Sequence, residues 1–142
     1  YHVLNSYLFQ KNPSFKDIQN NPQLISLLAE GVVIDQFRRY RPVYYIKGAR
    51  GEVDAAVVMK NTFLPIEVKW SRQMRPQEMK QIKQYPNGII YGPREMDQPT
   101  ENPPVYSLPR ELLRVDKPDL DLINYYAQER KNKDHENTTY RK

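Results

Sequence analysis

Cysteine is absent from the 142-residue sequence, which excludes disulfide staples and thiolate metal sites and fits a reducing compartment. No stretch approaches the roughly 18 consecutive apolar residues of a membrane span. No basic-then-apolar leader opens the chain, so a cytoplasmic location with no membrane association is expected. The Gly-x-x-x-x-Gly-Lys-Ser/Thr loop that cradles nucleotide phosphates is also missing, and ATP binding by that route is excluded. Neither a zinc module nor a helix-turn-helix pattern is present, so nothing in the chain supports reading of base sequence. His135 has no second ligand at a metal-binding spacing and is assigned no role. Glycine is scarce, with five residues against 12 prolines, so the connections between elements should be stiff.

What is present suits one globular domain of ordinary size with a wet surface. A net charge of +5 is compatible with a polyanion partner. Tyr1 in place of Met suggests a piece of a longer chain. Three segments are expected: an incoming connection over 1–20, a folded domain over 21–115, and a C-terminal helix with a polar tail over 116–142. Val3, Leu4, Tyr7 and Leu8 leave a helix-like trace that Asn12-Pro13-Ser14 breaks. Asn21-Pro22 reads as a helix start, and the apolar residues Leu24, Leu27, Leu28, Val32, Ile34 and Phe37 recur near helical spacing up to about Arg39. Val43 to Ile46 should be a strand, followed by the basic turn Lys47-Gly48-Ala49-Arg50-Gly51. Beyond Trp70 a polar helix should run to about Tyr85, with Met79 and Ile82 on its narrow apolar stripe. Ile89 to Tyr91 and Val105 to Leu108 are two more short strands, Pro109 to Leu113 a helical turn, and 119–129 a last helix. The order predicts an α/β fold with a mixed central sheet flanked by helices.

Two stretches organise the rest. Gly51 to Met59 and Phe63 to Trp70 are apolar runs interrupted by charge and joined by Lys60-Asn61-Thr62, the pattern of a β-hairpin. Along the second strand Glu67 and Lys69 point one way while Ile66, Val68 and Trp70 point the other. Strict alternation puts Asp54 on one face with Ala56 and Val58, and a register that brings Asp54 beside Glu67 gathers two carboxylates and an amine. Burying such a group is costly unless the charges serve one another or a cation. The bland alternative is a solvated strand face carrying a weak ion pair.

Gly-Glu-Val-Asp followed by Pro-Ile-Glu-Val-Lys-Trp resembles motifs II and III of the PD-(D/E)xK nuclease superfamily, and most of all the nuclease-like domain at the C-terminal end of certain prokaryotic AAA+ ATPases. Val53 stands where the superfamily's name has Pro. Leu28-Ala29-Glu30-Gly31-Val32-Val33 with Phe37 is similar to the first-helix motif, which favours Glu30 over Asp35, about 140° away around the helix, as a third acid. Gln81-Ile82-Lys83-Gln84-Tyr85 is similar to the Gln-x-x-x-Tyr pattern of the RecB-like branch, although Tyr85 also suits core or edge packing.

The resemblance covers roughly residues 24–108 and implies a restriction-endonuclease-like fold with an αβββαβ core. It implies metal-dependent phosphodiester hydrolysis of nucleic acid, with DNA the favoured polymer, by a domain attached to an upstream ATPase. Asp54 and Glu67 would be ligands of Mg²⁺ or Mn²⁺, with the Val68 carbonyl as a further one and Glu30 acting directly or through water. Lys69 would orient the attacking water. Arg72, Arg75, Lys80 and Lys83, together with Gln81, are the candidates for contacting nucleic acid, and phosphate contacts of that kind give affinity without sequence preference. Two other classes remain: an inactive nuclease fold kept for nucleic-acid binding or regulation, and a protein-interaction domain that uses tyrosines such as Tyr44, Tyr45, Tyr125 and Tyr126. A homo-oligomer is compatible with any of the three.

Overall fold

The computed structural model describes residues 11–48, 51–71, 74–77, 79–93 and 103–112. The helix-like trace before Lys11 and the helix expected over 119–129 lie outside these residues.

Helix α1 (Phe15–Gln19) starts on Ser14, whose hydroxyl accepts from the Asp17 N–H while the Asp17 carboxylate accepts from the Ser14 N–H at 2.8 Å. This reciprocal cap satisfies two amides that a short helix would otherwise leave orphaned. The helix was not foreseen from the apolar pattern, and Ser14-x-x-Asp17 is the signal that marks it.

Helix α2 (Pro22–Arg38) begins as its sequence predicts. The Asn21 side chain accepts from the Leu24 N–H at 3.1 Å, and Pro22 occupies the first turn, where its missing N–H costs nothing. Ala29, Val33 and Phe37 are spaced four apart and form its buried stripe.

The sheet is built of β1 (Val43–Gly48), β2 (Gly51–Val58), β3 (Phe63–Val68), β4 (Ile89–Gly92) and β5 (Val105–Ser107), in spatial order β1-β2-β3-β4-β5. The first three strands form an antiparallel meander; β4 and β5 then add in parallel. The fold is therefore α/β, with one mixed five-stranded sheet flanked by helices. Pro65 is tolerated within β3 because pairing with β4 begins only at Ile66. Helix α3 (Leu108–Leu112) follows β5 directly. No helix among the described residues is long and apolar enough to cross a membrane.

Alternate residues of β4 and β5 separate two cores. Ile89, Tyr91 and Tyr106 join the α2 stripe and Ala55, Val57, Leu64, Ile66 and Val68 on one face. Ile90 and Val105 join Val53 and Ile82 on the other. Phe37 stacks on Tyr91 with centroids 6.5 Å apart and planes 6° from parallel, tying α2 to the centre of the sheet.

The polar helix expected from Pro76 to Tyr85 is not formed. Among the described residues that segment is turns and a single 3-10 turn (Ile82–Gln84). Met79, Ile82 and Tyr85 are spaced by three, which suits three residues per turn, and all three contribute to the second core. Pro76 and Pro86 limit the segment, and nothing outside this stripe rewards a longer helix.

Candidate active site

The site forms where β2 and β3 part. Their pairing runs from Val58 opposite Phe63 to Ala55 opposite Ile66 and stops there. One step further along the same register, Asp54 stands across from Glu67. On the other side of β2 the register against β1 slips between Tyr44 (opposite Ala56) and Ile46 (opposite Val53). Tyr45 therefore faces two residues, Asp54 and Ala55, which is a β-bulge. Its effect is visible in the packing. Val53 and Ala55 are two apart, yet Val53 belongs to the second core and Ala55 to the α2 core. Strict alternation along β2, which would have placed Asp54 with Ala56 and Val58, is thus corrected: the bulge swings Asp54 out of that series.

At the fork the Asp54 carboxylate does the work of a strand partner. Its Oδ2 accepts from the Val68 N–H at 2.7 Å, satisfying a backbone donor that β2 no longer reaches. Glu67 follows on β3 and is 5% exposed. Its Oε1 accepts from the Lys69 ammonium at 2.6 Å, so Glu67 and Lys69 share a face as alternation requires. Ile66 and Val68, between and beside them, pack toward α2. Glu67 Oε2 is buried with no hydrogen-bond partner. A buried carboxylate oxygen left in that state is costly, and a ligand would relieve it.

Glu30 reaches the same region from α2. Burial is the main cause that raises its carboxyl from 4.5 to about 7; the Asp54 charge adds to this, Lys69 opposes it, and Glu67 adds a smaller push. Burial also raises the Asp54 carboxyl, against the Val68 N–H and the Lys69 charge. Glu67 is raised by burial and by the Asp54 charge, and held down by Lys69. Three acids thus resist ionisation together, and one cation is set among them. Such mutual perturbation is common at functional sites, and it also favours the binding of further positive charge. Among the described residues no group of three or more His, Cys, Asp or Glu side chains is disposed to hold a metal ion by itself. Asp54 is the carboxylate that acts most on both Glu30 and Glu67.

The candidate nucleic-acid contacts are distributed differently. Arg75, Lys80 and Lys83 are exposed, and Arg72 lies outside the described residues. The Gln81 side chain lies so close over Gly51 that a Cβ there would come within 2.3 Å of its Nε2. Its Oε1 accepts from Gln84 at 2.7 Å. Tyr85 meets Phe63 edge to face at 5.9 Å and joins the second core, which is its packing role.

Sequence reasoning passed over a second polar group, on β1 and β2. Lys47 and Glu52 are cross-strand partners joined at 3.3 Å. The Tyr45 hydroxyl donates to Glu52, and its ring lies in the field of Asp54 and Glu30. Only the pairing of Lys47 with Glu52 across the basic turn hinted at this in the sequence.

Residues 27–110 match the family model described as Domain of unknown function (DUF4143). The chain belongs to the DUF4143 family. The matched span takes in Glu30, the Asp54 bulge, Glu67 and Lys69, and the whole five-stranded sheet, so the fork is part of the DUF4143 domain. No curated protein matches the chain, and no solved structure does.

Proposed function

We propose that this DUF4143 domain is a nuclease of the PD-(D/E)xK type that hydrolyses phosphodiester bonds of nucleic acid, DNA foremost, as the C-terminal part of a larger ATPase. The observation that carries this reading is the fork itself. It brings together Asp54, a Glu67 carboxylate with a buried unpartnered oxygen, and a lysine 2.6 Å from that same Glu67. A helix followed by a three-stranded antiparallel meander and parallel additions also suits the restriction-endonuclease-like core, whose second helix would here be reduced to a 3-10 turn.

The donor set fits a hard divalent cation. Mg²⁺ keeps most of its waters and is commonly held through one or two carboxylates, so the Asp54–Glu67 pair is sufficient, with Glu30 acting through water. When bound, such an ion supplies charge neutralisation at phosphorus and a more acidic water. Asp54, anchored by the Val68 N–H, keeps its second oxygen for ligation. Glu67 offers Oε2. Lys69, which holds Glu67 in the absence of substrate, would hold the attacking water and favour its hydroxide form. Exposed Arg75, Lys80 and Lys83 supply contacts to the phosphate backbone.

Calorimetric titration with Mg²⁺ or Mn²⁺, paired with cleavage of single-stranded, duplex and branched DNA, tests the proposal. Asp54→Asn and Glu67→Gln should weaken metal binding and abolish cleavage. Lys69→Ala should bind metal at least as well while cutting about a hundredfold more slowly or worse, the scale of losing one positioned electrostatic donor. A parent protein that binds no metal, or a Lys69→Ala protein that cuts normally, would defeat it.

A second reading draws on the lack of a three-acid group among the described residues and on the closed Lys69–Glu67 pair. In it the fold is kept for nucleic-acid binding or regulation without chemistry. Metal binding without cleavage of any substrate would select it.

A further inference from the structure

Tyr45 stands beside the carboxylates and has no part in the chemistry proposed above. It lies on β1, the edge strand of the sheet, directly across from the bulge that carries Asp54. Its side chain is 53% exposed, although its neighbours on the strand include Val43 of the core. Its hydroxyl donates to Glu52, and Glu52 is held in turn by Lys47 at 3.3 Å. Among the described residues its ring stacks on no other ring. Tethering the polar end of an aromatic side chain reduces the entropy lost when something packs on its face.

A flat ring, open to solvent and next to a group of carboxylates suited to a phosphodiester, has the form of a base-stacking platform. We infer that an unpaired nucleobase adjacent to the scissile phosphodiester stacks on Tyr45, so that the substrate is single-stranded where it enters the site. The inference rests on the nuclease reading for the position of the cut. Inside a duplex each base already has a neighbour on both faces, so a protein ring can stack on one only after it has left the helix. Stacking would also be indifferent to sequence, since every base offers a π face, and that agrees with the lack of a base-reading module in the chain. The Lys47–Glu52 pair then acts as a support: it positions the ring and does not touch the reacting atoms.

The test is fluorescence anisotropy with a labelled oligothymidylate, alone and annealed to oligoadenylate, with Ca²⁺ in place of Mg²⁺ to slow hydrolysis. The parent should prefer the single strand. Tyr45→Ala should weaken single-strand binding by about 5- to 150-fold, the range for loss of one stacked base, and leave duplex binding unchanged. Tyr45→Phe keeps the ring and loses the tether, and it should restore most of the affinity; thermal melting of each variant checks the fold. If Tyr45→Ala binds the single strand as tightly as the parent, or loses both ligands equally, the stacking inference is overturned, while Mg²⁺-dependent cleavage by the parent would still uphold the nuclease. If Tyr45→Ala loses the single strand selectively but the parent cleaves nothing, stacking stands and the nuclease falls. A parent that binds neither ligand overturns both.

Discussion

The three acids at the fork should make the protein less stable as they ionise, and Glu30 permits the sharpest test. Its carboxyl is raised to about 7 in the folded protein, against an ordinary value of 4.5. Well below pH 4.5 it is protonated in both folded and unfolded chains and contributes no difference. Between these values the unfolded chain releases the proton more readily, so unfolding is progressively favoured as pH rises. Above about pH 7 the penalty is complete. A rise from 4.5 to about 7 is worth at most ~3.4 kcal/mol at about 1.36 kcal/mol per pH unit. Glu30 is only half-buried, and solvent screening reduces this to on the order of 1 to 2 kcal/mol. Glu30→Gln removes the charge and keeps the shape. Urea unfolding of both proteins at pH 4 and pH 8 should therefore show the variant gaining about 1 to 2 kcal/mol on the parent between those two conditions. Asp54 and Glu67 are raised as well and tilt both proteins the same way, so the difference between the two reads the share of Glu30 and its repulsion of Asp54. An equal stability gap at both pH values would refute the reasoning, because it would mean that neither burial nor the neighbouring carboxylates raise the Glu30 carboxyl.

Two further outcomes follow from the surroundings of the site. If exposed Lys80 and Lys83 contact phosphates, replacing both by Ala should lower the slope of log affinity against log salt by roughly one unit per lost contact, and an unchanged slope would make them a solvated surface only. Gly88 is buried, and a Cβ there would lie 2.7 Å from the Ile82 carbonyl oxygen, a backbone atom that cannot swing aside. Gly88→Ala should therefore destabilise by about 1 to 3 kcal/mol in denaturant unfolding, with a wild-type midpoint counting against the close packing of the 3-10 turn on β4.

Much of the site could be read in the chain because it rests on local rules. Two short β-rich runs joined by three polar residues make a hairpin, a spacing of 13 between Asp54 and Glu67 sets them across it, and Glu-x-Lys on a strand shares a face. The α2 cap was legible for the same reason, because Asn21-Pro22 acts within one turn of helix. The buried stripe was legible only in part: of the apolar residues at helical spacing Leu24 and Phe37 are buried while Leu27 and Val32 are exposed, and Ala29 and Val33 fill the core instead. The Ser14 capping box was equally local, and its short helix escaped only because it carries no buried residue. Tertiary structure decided the rest. The bulge opposite Tyr45 depends on how β1 and β2 slide past one another, and no spacing within β2 reveals that Val53 and Ala55 pack on opposite faces. Whether 76–85 became a helix was settled by what its three apolar residues could bury against Val53 and Ile90, and a stripe with period three was satisfied by one 3-10 turn. The shared rise of Glu30, Asp54 and Glu67 belongs to no residue alone. It arises from desolvation and repulsion among side chains that come from three elements, and these exist only once the fork has closed around them.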